Sequence, residues 1–170
     1  ALLLSGGMNL AKEYMGPQPL KERWTDLLFS AEGSMVNDYR DIFETDWAFS
    51  RQIPIQQTPG KKSSKQGECA TQVIPSGPDV SSDALLEALI YAIHMAKTRI
   101  WIVTPYFVPD ESIFQALHIA LHRGVDVTLI TPKESDHLIA DLGRSSYIRE
   151  AQDRGIDVAL YTEPKLHAKA

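Results

Sequence analysis

The sequence predicts an α/β fold with a mainly parallel sheet, and three features of residues 99–160 carry that reading. Strand-like apolar runs alternate with helix-like stretches, the order from which parallel sheets are built. The run at 99–104 (RIWIVT) has a nearly continuous apolar centre, as a central parallel strand requires. A short motif also recurs one strand–helix unit apart: Arg123-Gly124-Val125-Asp126-Val127 returns as Arg154-Gly155-Ile156-Asp157-Val158. In each copy glycine ends a helix and a strand starts at once, which fits right-handed crossovers rather than a solenoid.

The elements follow in order. Residues 1–4 (ALLL) are an apolar run fit for a buried strand. Gly6-Gly7 then allows an ordinary turn or a close approach of backbone to ligand, and Asn9 follows. Residues 11–23 read as a polar loop with Pro17 and Pro19. Residues 24–32 (WTDLLFSAE) suit a strand and place Asp26 among apolar neighbours, where an unpaired carboxylate is costly. Either that side chain points outward, or it caps a neighbouring turn through a backbone N–H, or it needs a partner. Gly33 opens a helix to about Ser50, set by Val36, Tyr39, Phe43 and Trp47 at helical spacing, with Asn37, Asp38, Asp41 and Glu44 facing away. The stripe is expected to be core.

Residues 51–67 change character, with Pro54, Pro59, Gly60, Gly67 and the Lys61, Lys62, Lys65 cluster. This is a linker or mobile loop, its lysines solvated or touching acidic lipid headgroups. A strand is predicted over 70–74, ended by Pro75-Ser76-Gly77-Pro78. Asp83 starts the next helix, where a negative charge suits the dipole, and Leu86, Leu89, Ile90 and Ile93 are its apolar face. After the strand at 99–104 comes a rigid loop, Pro105-Tyr106-Phe107-Val108-Pro109, at the sheet edge where open α/β proteins bind ligands. Asp110 caps the helix that runs to His122. A strand at 125–130, a helix at about 136–153 and a strand at 156–160 complete the pattern.

Composition bounds the function. A hydrophobic fraction of 44% in 170 residues supports one compact core or parts of two. Net charge is −5, so no basic surface advertises nucleic-acid binding. The single cysteine, Cys69, forms no disulfide within the chain and reads as a small buried thiol. The longest apolar stretch, 85–96, is too short to span a bilayer, and no signal segment opens the chain. Both ends read as cut inside strands, so a piece of a longer protein is expected.

His118 and His122 are four apart, a spacing that can bind zinc, but they share a face with Glu111 and Gln115 and read as solvated. His94 reads as a helix-surface residue and His137 as part of a helix start. The last stretch, Lys165-Leu166-His167-Ala168-Lys169-Ala170, puts a histidine and a lysine on one face of a strand. One does nucleophilic or acid/base work and the other holds a phosphate charge. On its own it reads more readily as a polar strand start.

The order of the pieces changes that weighting. ALLLSGGMNLAKEYMG, WTDLLFSAEG, IFETDWAF, QVIPSGPD, RIWIVTPYFVPDES, ALHRGVDVTLITP and PKLHAKA follow one another across nearly the whole chain. In this order they resemble the phospholipase D superfamily, and within it the bacterial cardiolipin synthase group. The resemblance implies a phospholipase D-like α-β-α sandwich with a mainly parallel sheet. It implies the end of a first half at 1–50, a linker at 51–67 and most of a second half at 68–170. Family members carry two His-x-Lys-x4-Asp motifs sharing one active site. The first is expected upstream of Ala1, and the second begins at His167 and Lys169.

The family chemistry is attack by one motif histidine on a phosphodiester, giving a phosphohistidine. The other histidine protonates the leaving alcohol and deprotonates the incoming one. By resemblance His167 is the acid/base histidine, Lys169 a phosphate ligand and Asn9 part of the phosphate pocket. Asp26 corresponds to the acid that orients the first motif's histidine. The residues present do not by themselves assign the nucleophile. Neither cofactor nor metal is implied. The implied activity is transfer of a phosphatidyl group between phosphatidylglycerols by a membrane-associated protein, the 170 residues alone being soluble and inactive. Rivals are a hydrolysing phospholipase D, a superfamily nuclease, which the acidic balance disfavours, and a non-catalytic binding or assembly lobe. If the site assignment is right, His167 lies at the same sheet edge as Tyr106.

Overall fold

The computed structural model describes the chain except residues 19, 56–66, 78–79, 81, 135–137 and 164, and the side chains of 138–142. The predictions for the Lys61–Lys65 cluster and for His137 lie outside the described residues. Two compact units are present: Ala1–Ser5 with Phe29–Glu87, and Gly6–Leu28 with Ala88–Ala170.

In the first unit, β1 (Leu2–Gly6) pairs with β2 (Leu28–Glu32) as a two-stranded sheet. The apolar run of β1 is not a buried strand, since Leu2 and Leu4 are 61% and 64% exposed. The strand predicted from Trp24 starts only at Leu28, because Thr25 is engaged in another pairing. Helix α1 (Met35–Arg51) ends at Gln52, whose φ of 53° turns the chain out of the helix. Its expected core stripe is present as a face but is not buried. Phe43 and Trp47 stack on each other at 5.9 Å, with the Arg51 guanidinium 5.5 Å from the Trp47 ring, and Ala48 alone is buried. Residues 70–74 form no strand, since no backbone bond among the described residues gives them a ladder. Cys69, in the same irregular stretch, is exposed rather than buried, since the stretch forms no strand or helix that would seat it in a core.

The second unit carries a three-stranded parallel sheet in the order β3 (Arg99–Val103), β4 (Asp126–Pro132), β5 (Asp157–Tyr161). Arg99 pairs with Asp126 and Thr128 with Asp157, so each strand is offset along its neighbour. Helix α2 (Ala84–Met95) precedes the sheet, α3 (Glu111–His122) links β3 to β4, and α4 (Leu138–Asp153) links β4 to β5. Asp83 and Asp110 cap α2 and α3, accepting from the backbone N–H of Leu86 at 3.2 Å and of Ser112 at 2.8 Å.

The repeated Arg-Gly motif has a physical basis. Gly124 and Gly155 adopt φ of 81° and 93°. Around them the Val125 N–H reaches back to Ala120 O and the Ile156 N–H to Ala151 O, both at the 3.1–2.9 Å of helix-closing bonds. The arginines diverge. Arg123 holds the end of α2, bonding Ile93 O at 3.2 Å, Ala96 O at 2.6 Å and His94 O. Arg154 pairs with Glu150 at 2.6 Å.

One face of the sheet is covered by all three helices: Ile93, Phe114, Leu117, Ala120 and Ala151 share a cluster with Val127 and Leu129. Leu117 and Leu129 are fully buried. At the carboxyl end of β4, buried Arg144 of α4 donates to Thr131 Oγ1 at 3.0 Å, Pro132 O at 2.7 Å and Lys133 O at 3.0 Å. These bonds tie α4 to the carboxyl end of β4.

Candidate active site

The chain end is placed by backbone bonds on two sides. Ala170 and Val103 exchange N–H···O bonds of 3.0 and 2.7 Å, which fixes the arm 165–170 to the carboxyl end of β3. On its other side, Thr25 and Leu166 form a parallel bridge. The Thr25 N–H donates to Lys165 O at 2.9 Å, and Thr25 O accepts from His167 N at 2.8 Å. Extended backbone alternates its side chains, so Leu166 and Ala168 are buried at 6% and 3% while Lys165, His167 and Lys169 share the other side. The arm enters at the edge that carries the Tyr106 loop.

The bridge sets Asp26 beside His167. The His167 Nδ1 lies 2.7 Å from Asp26 Oδ2, and the Asp26 side chain is 1% exposed against 19% for His167. Asp26 Oδ1 accepts from the Leu27 N–H at 2.7 Å, so both carboxylate oxygens are engaged. An ionised carboxylate only accepts, so the proton of this pair sits on Nδ1 and Nε2 is left with its lone pair. The Lys169 ammonium is 3.2 Å from both ring nitrogens and 2.7 Å from His167 O. With Nδ1 already a donor to Asp26, the contact to Nε2 is the hydrogen bond of the two.

Glycine makes room for this. A Cβ on Gly7 would stand 2.5 Å from Asp26 Oδ1. Gly6, with φ of 154°, would place a Cβ 2.1 Å from Leu27 O. The pair of glycines therefore brings two backbone segments together and seats the carboxylate.

Sequence reasoning gave Asp26 the histidine of a motif preceding Ala1. The structure gives it His167, because residue 26 follows Thr25 as 167 follows Leu166 across the bridge. Asn9 is exposed, and its Nδ2 donates at 3.5 Å to the hydroxyl of Tyr14. Two residues at the site were not singled out from sequence: Tyr14 and Trp24, whose rings lie 5.6 and 5.7 Å from the His167 ring. The signal for Trp24 was its position two before Asp26 in an extended stretch. His118 and His122 stand apart on α3 with Nε2 atoms 3.1 Å from each other. Among the described residues no three His, Cys, Asp or Glu side chains are grouped to hold a metal.

Residues 89–170 match the family described as cardiolipin synthase, PLD-like domain. These residues, 89–170, belong to the phospholipase D superfamily. The chain is 36% identical over 165 residues to cardiolipin synthase A of Pseudomonas fluorescens (strain SBW25), covering 96% of this chain and 34% of that protein. The cardiolipin synthases A of Pseudomonas syringae pv. syringae (strain B728a) and Pseudomonas putida (strain GB-1) are each 34% identical over the same coverage. The chain thus spans about a third of the length of the curated relatives it matches. No solved structure matches it. The mixed α/β architecture with a parallel sheet is that of a phospholipase D-like fold. No helix among the described residues is long and apolar enough to cross a membrane.

Proposed function

We propose that a protein carrying these residues is a phosphatidyltransferase that joins two phosphatidylglycerols into cardiolipin and releases glycerol. The observation that carries the reading is the His167–Asp26 bond of 2.7 Å with the Lys169 ammonium 3.2 Å from the ring. The named relatives, all cardiolipin synthases, support the substrate class.

The residues present do defined work in such a reaction. Asp26 holds the Nδ1 proton, so Nε2 can carry or release the transferred one. In the first step a histidine nitrogen bonds to phosphorus, and the bond from phosphorus to the glycerol oxygen breaks. The step starts with the ring protonated at both nitrogens; that oxygen takes the proton from His167 Nε2 and leaves the neutral ring, its Nδ1–H still on Asp26. In the second step Nε2 takes the proton of the incoming hydroxyl as its oxygen bonds to phosphorus and the nitrogen–phosphorus bond breaks. Acid/base help of this kind contributes ~10²–10⁴-fold. Lys169 meets the charge of the non-bridging oxygens. The 170 residues contain one His-x-Lys pair, at His167 and Lys169, whereas this chemistry uses two histidines. The chain alone is therefore inactive in this proposal, and the site is completed by sequence beyond it, in a protein that works at a membrane surface.

The test is incubation with phosphatidylglycerol and assay of cardiolipin and glycerol. The longer protein forms both, and His167→Gln abolishes it. Phosphatidic acid in place of cardiolipin would mean that water is the acceptor. Turnover by the 170 residues alone would mean that they complete the site some other way.

A further inference from the structure

We propose that Tyr14 and Trp24 are positioning residues for His167, two aromatic walls that keep the imidazole from turning off Asp26. The inference deepens the proposed function and rests on it for its catalytic consequence. A single hydrogen bond leaves an imidazole able to pivot about Cβ–Cγ, and a half-turn replaces Nδ1 with carbon at the carboxylate. Packing against the ring is what holds a reacting group within the few tenths of an ångström that catalysis needs.

The three rings form a closed set. Tyr14 and Trp24 are 5.5 Å apart, Tyr14 meets His167 edge-on at 5.6 Å and 77°, and Trp24 meets it at 5.7 Å and 46°. Each wall is itself fixed. Tyr14 is 6% exposed, its N–H donates to Ala11 O at 3.0 Å, and its hydroxyl accepts from Asn9. The Trp24 N–H donates to Glu13 O at 2.8 Å, and the Lys165 ammonium lies 5.3 Å over its ring. The wall and the histidine are also tied through Thr25, whose carbonyl accepts from the His167 N–H at 2.8 Å. Asn9 thus acts on the site through Tyr14.

The test is nitrogen-15 histidine NMR of the 170-residue chain, with the His167 signals assigned by their loss in His167→Gln. The wild type is expected to show a slowly exchanging Nδ1–H proton. Tyr14→Phe and Trp24→Phe, which keep a ring, retain it. Tyr14→Leu and Trp24→Leu lose it to exchange while circular dichroism stays unchanged. Sharp Nδ1–H signals in both leucine variants would overturn the proposal. Should those variants not fold, the folded wild type decides, since a Nδ1–H already lost to exchange there refutes the walls and a retained one supports them. The readout involves no lipid, so failure of the walls leaves the transferase reading standing, and absence of turnover leaves the walls standing.

Discussion

Replacing Gly7 with alanine introduces one methyl group at the most crowded point of the site. Its carbon would stand 2.5 Å from Asp26 Oδ1 and 3.0 Å from Cγ and Oδ2, where ordinary contact begins at 3.4 Å. The carboxylate must withdraw by about 0.9 Å. It has no slack, because Oδ1 and Oδ2 are each engaged at 2.7 Å, by Leu27 N and His167 Nδ1. A displacement of that size directed along either bond takes it past hydrogen-bonding range. Gly7 itself is not in the left-handed region, so its backbone accepts alanine without strain. The expected result is a folded protein whose histidine has lost its orienting acid, with cardiolipin formation by the longer protein down ~10²–10⁴-fold. Melting temperature and circular dichroism serve as folding controls. Activity within about threefold of wild type, a change too small for the loss of an orienting group, would refute the reasoning.

Asp26→Asn keeps the shape and loses the charge, and the same assay is expected to show a fall of ~10²–10⁴-fold with folding preserved. Arg144→Leu strips three acceptors at the carboxyl end of β4 of their donor. Urea unfolding should show a loss of about 1–3 kcal/mol, the cost of a buried group left unsatisfied. The Asp110 carboxyl is held below its ordinary 3.8 by the Ser112 hydroxyl first and the Ser112 backbone N–H second. A depressed carboxyl stabilises the fold above its unfolded value and ceases to as pH falls through the folded one. The stability difference between wild type and Asp110→Ala is therefore expected to be full at neutral pH and to shrink below 3.8, measured by urea titration at each pH.

The second unit was largely legible because its signals are local. Helix closure at Gly124 and Gly155, the cap at Asp110 and the apolar centre of 99–104 are each decided within a few residues. The first unit was less so. Periodicity identified the Phe43–Trp47 stripe, but periodicity says which face is apolar, not what covers it. The strand read over 70–74 needed a pairing partner that no local pattern supplies. At the candidate site, His167, Lys169 and Asp26 were singled out through the family resemblance that the order of motifs carries. The partnership of Asp26 with His167 could not, since it depends on a bridge between Thr25 and Leu166 that is invisible before folding. Tyr14 and Trp24 look like any aromatic residues of a loop until that bridge brings the histidine between them.

The bridge also dictates when the site can exist. Asp26 and His167 are 141 residues apart, and closing a loop of that length costs about 4 kcal/mol of chain entropy before any contact repays it. The β3-α3-β4-α4-β5 layers, by contrast, form from neighbours one crossover apart. Closing a loop of one crossover, from Arg99 to Asp126 or from Thr128 to Asp157, costs about 3 kcal/mol by the same rule, so these layers are expected to form first. The arm at 165–170 is then expected to dock onto a β3 edge already in place, through the Val103–Ala170 bonds. A half-folded chain therefore carries no armed histidine. In refolding, the Asp26–His167 contact is expected to appear after the sheet, so that its rate of formation times completion of the unit rather than collapse of its core.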